Sequence, residues 1–315
     1  MVDLTVTIAG RRLGNPVMTA SGCGGSGREL GRFVDLAALG AFVTPTVMLD
    51  ARPGAGTPRT VETAGGVLWA TGYPGPGVEH VAAHDLPWLS WAGATVVASV
   101  GGATSTEFAA VTAILRESPA FAEVVGVEVN LSLPNVNARG AAFDEDPLTS
   151  AKVVALVREQ VPRDVALLAK LSPDSADLVA VADACIKAGA DGLTLVNGPL
   201  GMAIDTTRLA ASLADVTGRL SGPAIRPIAV RATWQLRAAM FDGRLPTVPL
   251  IGVGGVRTGR DALELIAAGA SAVQVGSATF TDPMAPIRVR DELADLLGAT
   301  GMHAFTDVIA AAHGR

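Results

Sequence analysis

Two glycine turns carry the clearest chemistry in this sequence. One lies in IGVGGV (251–256), with Gly254 and Gly255 side by side, and the other in VGSATF (275–280), with Gly276 followed by Ser277. Each follows a short apolar run and precedes a helix-like segment. Adjacent backbone N–H groups with no side chain over them can face a phosphate, although the same residues would also serve as two packing turns. The SGPAIRP stretch (221–227) lies just upstream and would bring a further backbone donor to the same place. Lys170 is the second signal. Of the 24 basic residues only three are lysines, and this one ends the apolar run ALLAKLSP. An ammonium in such a place needs an anionic partner, whether a cofactor, a substrate or a carboxylate in a structural ion pair. Asn130, Asn135 and Asn197 add uncharged donors and acceptors, which suit the edge of a planar heterocycle. The four histidines form no hydrolytic triad, and His80 and His84, one helical turn apart, have no carboxylate-rich motif beside them, so no metal site is expected.

These residues fall at regular places in the chain. Short apolar runs recur at 16–20, 41–44, 95–100, 125–130, 165–171, 192–196, 248–252 and 272–276. Both faces of each run are apolar, as in parallel strands covered by helices. Helical spacing lies between most of them, clearest in 175–188 and 260–268, each closed by an Ala-Gly-Ala turn whose glycine suits a left-handed cap. Strand and helix alternating eight times predicts a (β/α)8 barrel with its site at the C-terminal ends of the strands. Those ends carry Ala20 and Ser21, Thr44 and Pro45, Ser99, Asn130, Lys170, Asn197, Gly254 and Gly255, and Gly276 and Ser277. A doubly wound open sheet is the rival, but SGCGGSGRELG (21–31) does not fit a dinucleotide fingerprint cleanly and reads as a tight loop after the first strand. The Gly- and Pro-rich stretch 50–77 reads as an excursion after the second strand, and one domain is expected over residues 1–315.

Composition narrows the class. The chain has 315 residues, a net charge of −6, 49% apolar residues and two cysteines, Cys23 and Cys185. That excludes disorder, a disulfide framework and the basic footprint of a nucleic-acid or anionic-membrane partner. Neither a signal peptide nor a membrane-spanning run is legible, so a soluble cytoplasmic protein is expected.

At these residues the chain resembles the class 1 dihydroorotate dehydrogenases, and most of all the form whose catalytic chain pairs with an iron–sulfur/FAD electron-transfer subunit. The resemblance runs through NPVMTASGCGGSGRE (15–29), TPRTVETAGGVLWATG (57–72), PGPG (74–77), NLSLPN (130–135), KLSPD (170–174), ADGLTLVN (190–197), GRLSGPAIRP (218–227) and both glycine turns. It implies an FMN-binding barrel in which Ala20, Ser21, Ser99, Asn130, Lys170, Val196, Gly222, Gly254, Gly255, Gly276 and Ser277 hold the flavin, with Asn130 and Asn197 near flavin and substrate alike. It also implies a dimer of catalytic chains, and an iron–sulfur/FAD partner.

The chain departs from that pattern on the substrate side. Where the family has a catalytic cysteine or serine, this chain has Leu133, which cannot take a proton. Pro45 replaces a lysine, Trp69 an asparagine that grips the orotate ring, Gly198 a threonine or serine, and Ser99 an asparagine. An anionic, urea-like ring would be poorly paired in such a pocket. The expectation is therefore an FMN-dependent oxidoreductase acting on a different, less charged small molecule through a pocket of Trp69, Leu133, Pro45, Asn135, Asn197 and Gly198. Lys170, Asn130, Tyr73 and Ser132 are the catalytic candidates, with Tyr73 and Ser132 as stand-ins for the missing base. Authentic dihydroorotate oxidation and a non-catalytic flavoprotein or assembly module are the alternatives.

Overall fold

The computed structural model describes residues 2–138 and 140–314. All eight expected strands are present, each within two or three residues of its expected bounds. They are β1 (Val17–Thr19), β2 (Phe42–Val43), β3 (Val96–Val100), β4 (Val124–Asn130), β5 (Ala166–Leu171), β6 (Gly192–Leu195), β7 (Leu250–Val253) and β8 (Ala272–Val275). They pair in parallel in chain order, with β8 returning to β1. A bridge from Met18 to Ala41, with the Thr19 N–H donating to the Ala41 carbonyl at 3.1 Å, brings β1 against β2 and closes the barrel. Every strand residue is buried except Val125, which is why the runs read as continuously apolar.

Helices cover the outside. Ser105–Glu117, Pro147–Arg158, Leu178–Lys187, Arg226–Phe241, Gly259–Ala267 and Ala285–Ala299 follow β3 to β8. Four are started by a side-chain cap: Thr104, Asp146, Asp177 and Thr258 each accept the N–H three residues on, satisfying a donor that the first turn leaves open. Between β2 and β3 the helical segment 78–91 contains a π-turn at Val81–Asp85. Among the described residues no helix is long and apolar enough to cross a membrane.

The two ends of the barrel are closed by segments with weaker sequence signals. At the N-terminal end an antiparallel hairpin, Val6–Ile8 with Arg11–Leu13, sets Ile8 and Leu13 beside Met18, Val97, Gly126 and Leu168. At the mouth lies a four-stranded antiparallel sheet in the order Leu200–Met202, Thr217–Ser221, Gly66–Trp69, Thr60–Thr63. Its second half comes from the expected excursion after β2. Its first half comes from an excursion after β6 that sequence reading did not separate. The pairing of these two distant segments sets what faces the mouth.

Candidate active site

The end of the mouth nearest β7 and β8 is built from backbone. Gly254 and Gly255 have φ of +125° and +72°, a region closed to most side chains. A Cβ on Gly255 would also stand 2.6 Å from the Cβ of Arg226. The turn Ser277–Phe280 opens directly after Gly276, so its leading N–H groups have no partner within the turn. Ala20 reaches the same corner: its N–H donates to the Val275 carbonyl at 2.8 Å, and its Cβ lies 3.5 Å from where a side chain on Gly276 would be. The nearby guanidinium of Arg226 faces away, paired with Asp261 at 2.6 Å and Glu264 at 2.9 Å. A phosphate here would meet bare N–H groups in a cradle that any side chain would fill, so the residues present fit the phosphate of a nucleotide cofactor.

Below the mouth Lys170 is buried in the barrel. Its Nζ lies 3.2 Å from Glu128 Oε1 and 3.2 Å from Gln274 Oε1, and the Gln274 amide donates to Glu128 Oε2 at 2.7 Å. Lys170 is thus a buried, ion-paired residue with one N–H donor beyond these two contacts. Glu128 and Gln274 were missed from sequence, although an acid inside the apolar run VVGVEVN is an unusual placement.

The opposite end of the mouth is built from side chains. Thr46 Oγ1 is its hub, 3.4 Å from Ser21 Oγ, 3.1 Å from Ser99 Oγ and 3.0 Å from Asn130 Nδ2. Asn197 Nδ2 donates to Asn130 Oδ1 at 3.2 Å, and Asn197 Oδ1 accepts the Gly198 N–H at 2.9 Å. Ser21, Ser99, Asn130 and Asn197 therefore form one uncharged network through a threonine that sequence reading passed over. Val196, the last residue before it, is buried. Leu133 is buried against the same wall, since a side chain on Gly101 would meet Leu133, Thr46 and Met48 together. Pro45 and Thr46 also border a cavity of about 230 Å³ that runs between the loops after β1 and β2 toward Pro74 and Asp85.

The two base candidates are constrained differently. The Ser132 hydroxyl donates to Asp144 Oδ2 at 2.7 Å, and Asp144 also accepts the Ser172 N–H, so Ser132 is tied to the 143–145 turn. Burial pushes the Asp144 carboxyl up from its usual range, against the pull of those bonds and of Arg219. Tyr73, at φ +53° between Gly72 and Pro74, faces Asn130 and Arg219, and burial pushes its phenol up. A phenol in that state is a donor at neutral pH, not a base. Burial also pushes the Cys23 thiol up to about 11, so it does not supply the missing thiolate. Asn135 is turned to its own loop, with its Oδ1 accepting the Asn137 N–H at 3.0 Å.

Arg219 changes the electrostatics that the sequence suggested. It is the cross-strand partner of Trp69, so the two side chains share the sheet face toward the barrel. Its guanidinium donates to the Gly198 carbonyl at 2.7 Å and the Ser132 carbonyl at 2.6 Å. The expected less charged substrate, read from Pro45, Trp69 and Leu133, is therefore not favoured: the mouth keeps a cation, delivered by a different element.

A parallel eight-stranded barrel with glycine turns that fit a phosphate, a buried lysine beneath them and an amide pair beside them suits an enzyme of the barrel type that takes a nucleotide cofactor. The chain belongs to the dihydroorotate dehydrogenase family, whose model matches residues 3–297, and with that family comes its class, an oxidoreductase. It is 44% identical over 309 residues to a protein of Pelobacter propionicus, covering 98% of each chain. It is 43% identical over 309 residues to one of Geotalea daltonii, again covering 98% of each, and 43% identical over 308 residues to one of Listeria monocytogenes at the same coverage. All three relatives are called dihydroorotate dehydrogenase B (NAD(+)), catalytic subunit.

Proposed function

We infer that the chain oxidises dihydroorotate to orotate as the catalytic member of a two-part enzyme, with FMN as its bound cofactor. The observation that carries this reading is the Asn130–Asn197 amide pair set above the Lys170–Glu128 pair and beside the glycine cradle. Gly254, Gly255, Gly276 and Ser277 would hold the phosphate, with Gly222 and Ala20 beside it, and Lys170, Ser21, Ser99, Val196 and Asn130 would meet the rest of the flavin. FMN, when bound, would supply the acceptor for the hydride, and the proton lost from the adjacent ring carbon would pass to water. The amides of Asn130 and Asn197 orient a ring with mixed donors and acceptors, Tyr73 donates a hydrogen bond, and Trp69 and Leu133 give the ring apolar contacts. The relatives' description as catalytic subunits supports an electron-transfer partner. The apolar side chains exposed on the excursion after β6, among them Leu200, Met202, Ile204 and Leu209, offer surface for association with that partner or a second catalytic chain.

The test is anaerobic mixing of the purified yellow protein with dihydroorotate, followed by flavin absorbance. Rapid bleaching is expected. A colourless protein that cannot be reconstituted with FMN sinks the cofactor assignment. A yellow protein that dihydroorotate leaves oxidised sinks the substrate assignment alone. One observation favours a second reading, in which the same flavin platform oxidises a different substrate: Leu133 is buried and aprotic where the family places its base. Under that reading the triple change Leu133→Cys, Pro45→Lys and Trp69→Asn creates dihydroorotate oxidation that the native chain lacks.

A further inference from the structure

We propose that Arg219 is the anion receptor of this site and holds the carboxylate of the substrate. Its guanidinium is nearly buried, with the side chain 11% exposed, and is pinned by two neutral carbonyls, Gly198 at 2.7 Å and Ser132 at 2.6 Å. Those carbonyls belong to the loops after β6 and β4, the same loops that carry Asn197 and Asn130. The pinning aims the guanidinium, and its charge is only partly offset: Asp174 pairs with Nη1 at the longer distance of 3.5 Å while also accepting from the Ser172 hydroxyl and the Leu200 N–H. The other cation at the mouth, Lys170, is matched more closely by Glu128. With Nη1 and Nη2 each giving one N–H to a carbonyl, the guanidinium lies beside the Tyr73 phenol with donors left over, and a planar guanidinium can hold a carboxylate bidentately.

Gly198 is the complement of this arrangement. A Cβ there would lie 3.0 Å from the Arg219 Cβ and would run into the Leu220 carbonyl. The hydroxyl side chain that the family has after the strand-6 asparagine would thus compete with Arg219 for one volume. Gly198 leaves free the volume against which the Arg219 side chain packs.

The proposal rests on the dihydroorotate reading for its preferred ring, and the test separates the two. The FMN-loaded protein is titrated by calorimetry with two matched pairs, orotate against uracil and benzoate against benzamide. The native protein should prefer the anionic member of at least one pair by about tenfold or more, the worth of a charged hydrogen bond. Arg219→Met should abolish that preference while leaving the affinity for the neutral member unchanged, and Arg219→Lys should restore part of it. Preference for benzoate with no binding of orotate keeps the receptor and removes dihydroorotate as the substrate. A native protein with no anionic preference in either pair overturns the proposal. So does an Arg219→Met protein that keeps the preference, or one that loses neutral and anionic ligands by the same factor, which marks a loop clamp. Should Arg219→Met fail to fold, the native titrations and Arg219→Lys decide the matter.

Discussion

The two ends of the barrel mouth recognise by different means. The corner at β7 and β8 presents backbone N–H groups, with Gly254 and Gly255 at φ values that exclude most side chains, while the rest of the mouth presents side chains gathered from the ends of β1, β2, β3, β4 and β6 and from the two excursions. Backbone recognition is set by the local turn, so the cofactor end keeps the family's pattern. Side-chain recognition can be re-dealt one residue at a time, and there Pro45, Trp69, Leu133 and Gly198 depart from the family's pattern. A cofactor platform is thus fixed while its substrate half is free to vary.

That contrast can be broken most forcefully from beneath. Glu128→Ala would leave the Lys170 ammonium buried without its counter-charge, and loss of one partner of a buried pair typically costs about 3–5 kcal/mol. A clear drop in the thermal midpoint is expected, and an unchanged midpoint would show that Glu128 does not hold Lys170. At the cofactor end, Gly255→Val forces a β-branched side chain into φ +72° against Arg226. Strain of about 1–3 kcal/mol plus blocked N–H groups should leave a folded protein with little flavin, measured by absorbance of the released cofactor.

Changes among the side chains should be milder. Thr46→Val removes the hub that Ser21, Ser99 and Asn130 share, at about 1–3 kcal/mol for the donor left unpaired. Those three residues would also meet the flavin, so flavin content should fall and KM should rise together, the flavin loss staying smaller than in Gly255→Val; a flavin loss as large as in Gly255→Val would erase the distinction between backbone and side-chain recognition. Asp144→Asn should be the smallest change. The native carboxyl has its pKa raised by burial, so its contribution to stability is fully present below the unfolded value of 3.8 and is lost as pH rises through the folded pKa. Asparagine can still accept from Ser132 and Ser172 without that charge. The variant should equal or exceed the native midpoint near neutral pH and lose its advantage in acid. A destabilised variant at neutral pH would mean that the ionised form is what the fold requires.

Much of the cofactor end was legible in the chain itself. Gly254 and Gly255 announce their turn because glycine is the residue that tolerates their positive φ, Gly276 with Ser277 announces its turn by following an apolar run, and the eight apolar runs announce parallel strands because both of their faces are covered. Asn130, Asn197 and Lys170 followed from their place at strand ends. Thr46 was passed over because nothing local distinguishes it from Thr44 two residues earlier. Only the fold shows that Thr46 reaches Ser21, Ser99 and Asn130, while Thr44 accepts the Ser99 N–H at 2.9 Å.

The sequence by itself determined the barrel, the two glycine turns at its β7 and β8 corner and the absence of a proton-accepting side chain at Leu133, since each depends on local dihedral preference, on burial pattern or on the chemistry of one residue. Tertiary structure decided the charge of the substrate end. Arg219 and Trp69 lie 150 positions apart, and their partnership exists only because two excursions pair in one antiparallel sheet over the mouth. Strand register across such a distance is a property of the packed chain, so the cation lost at Pro45 and the cation present at Arg219 could be weighed together only after folding brought them to the same place.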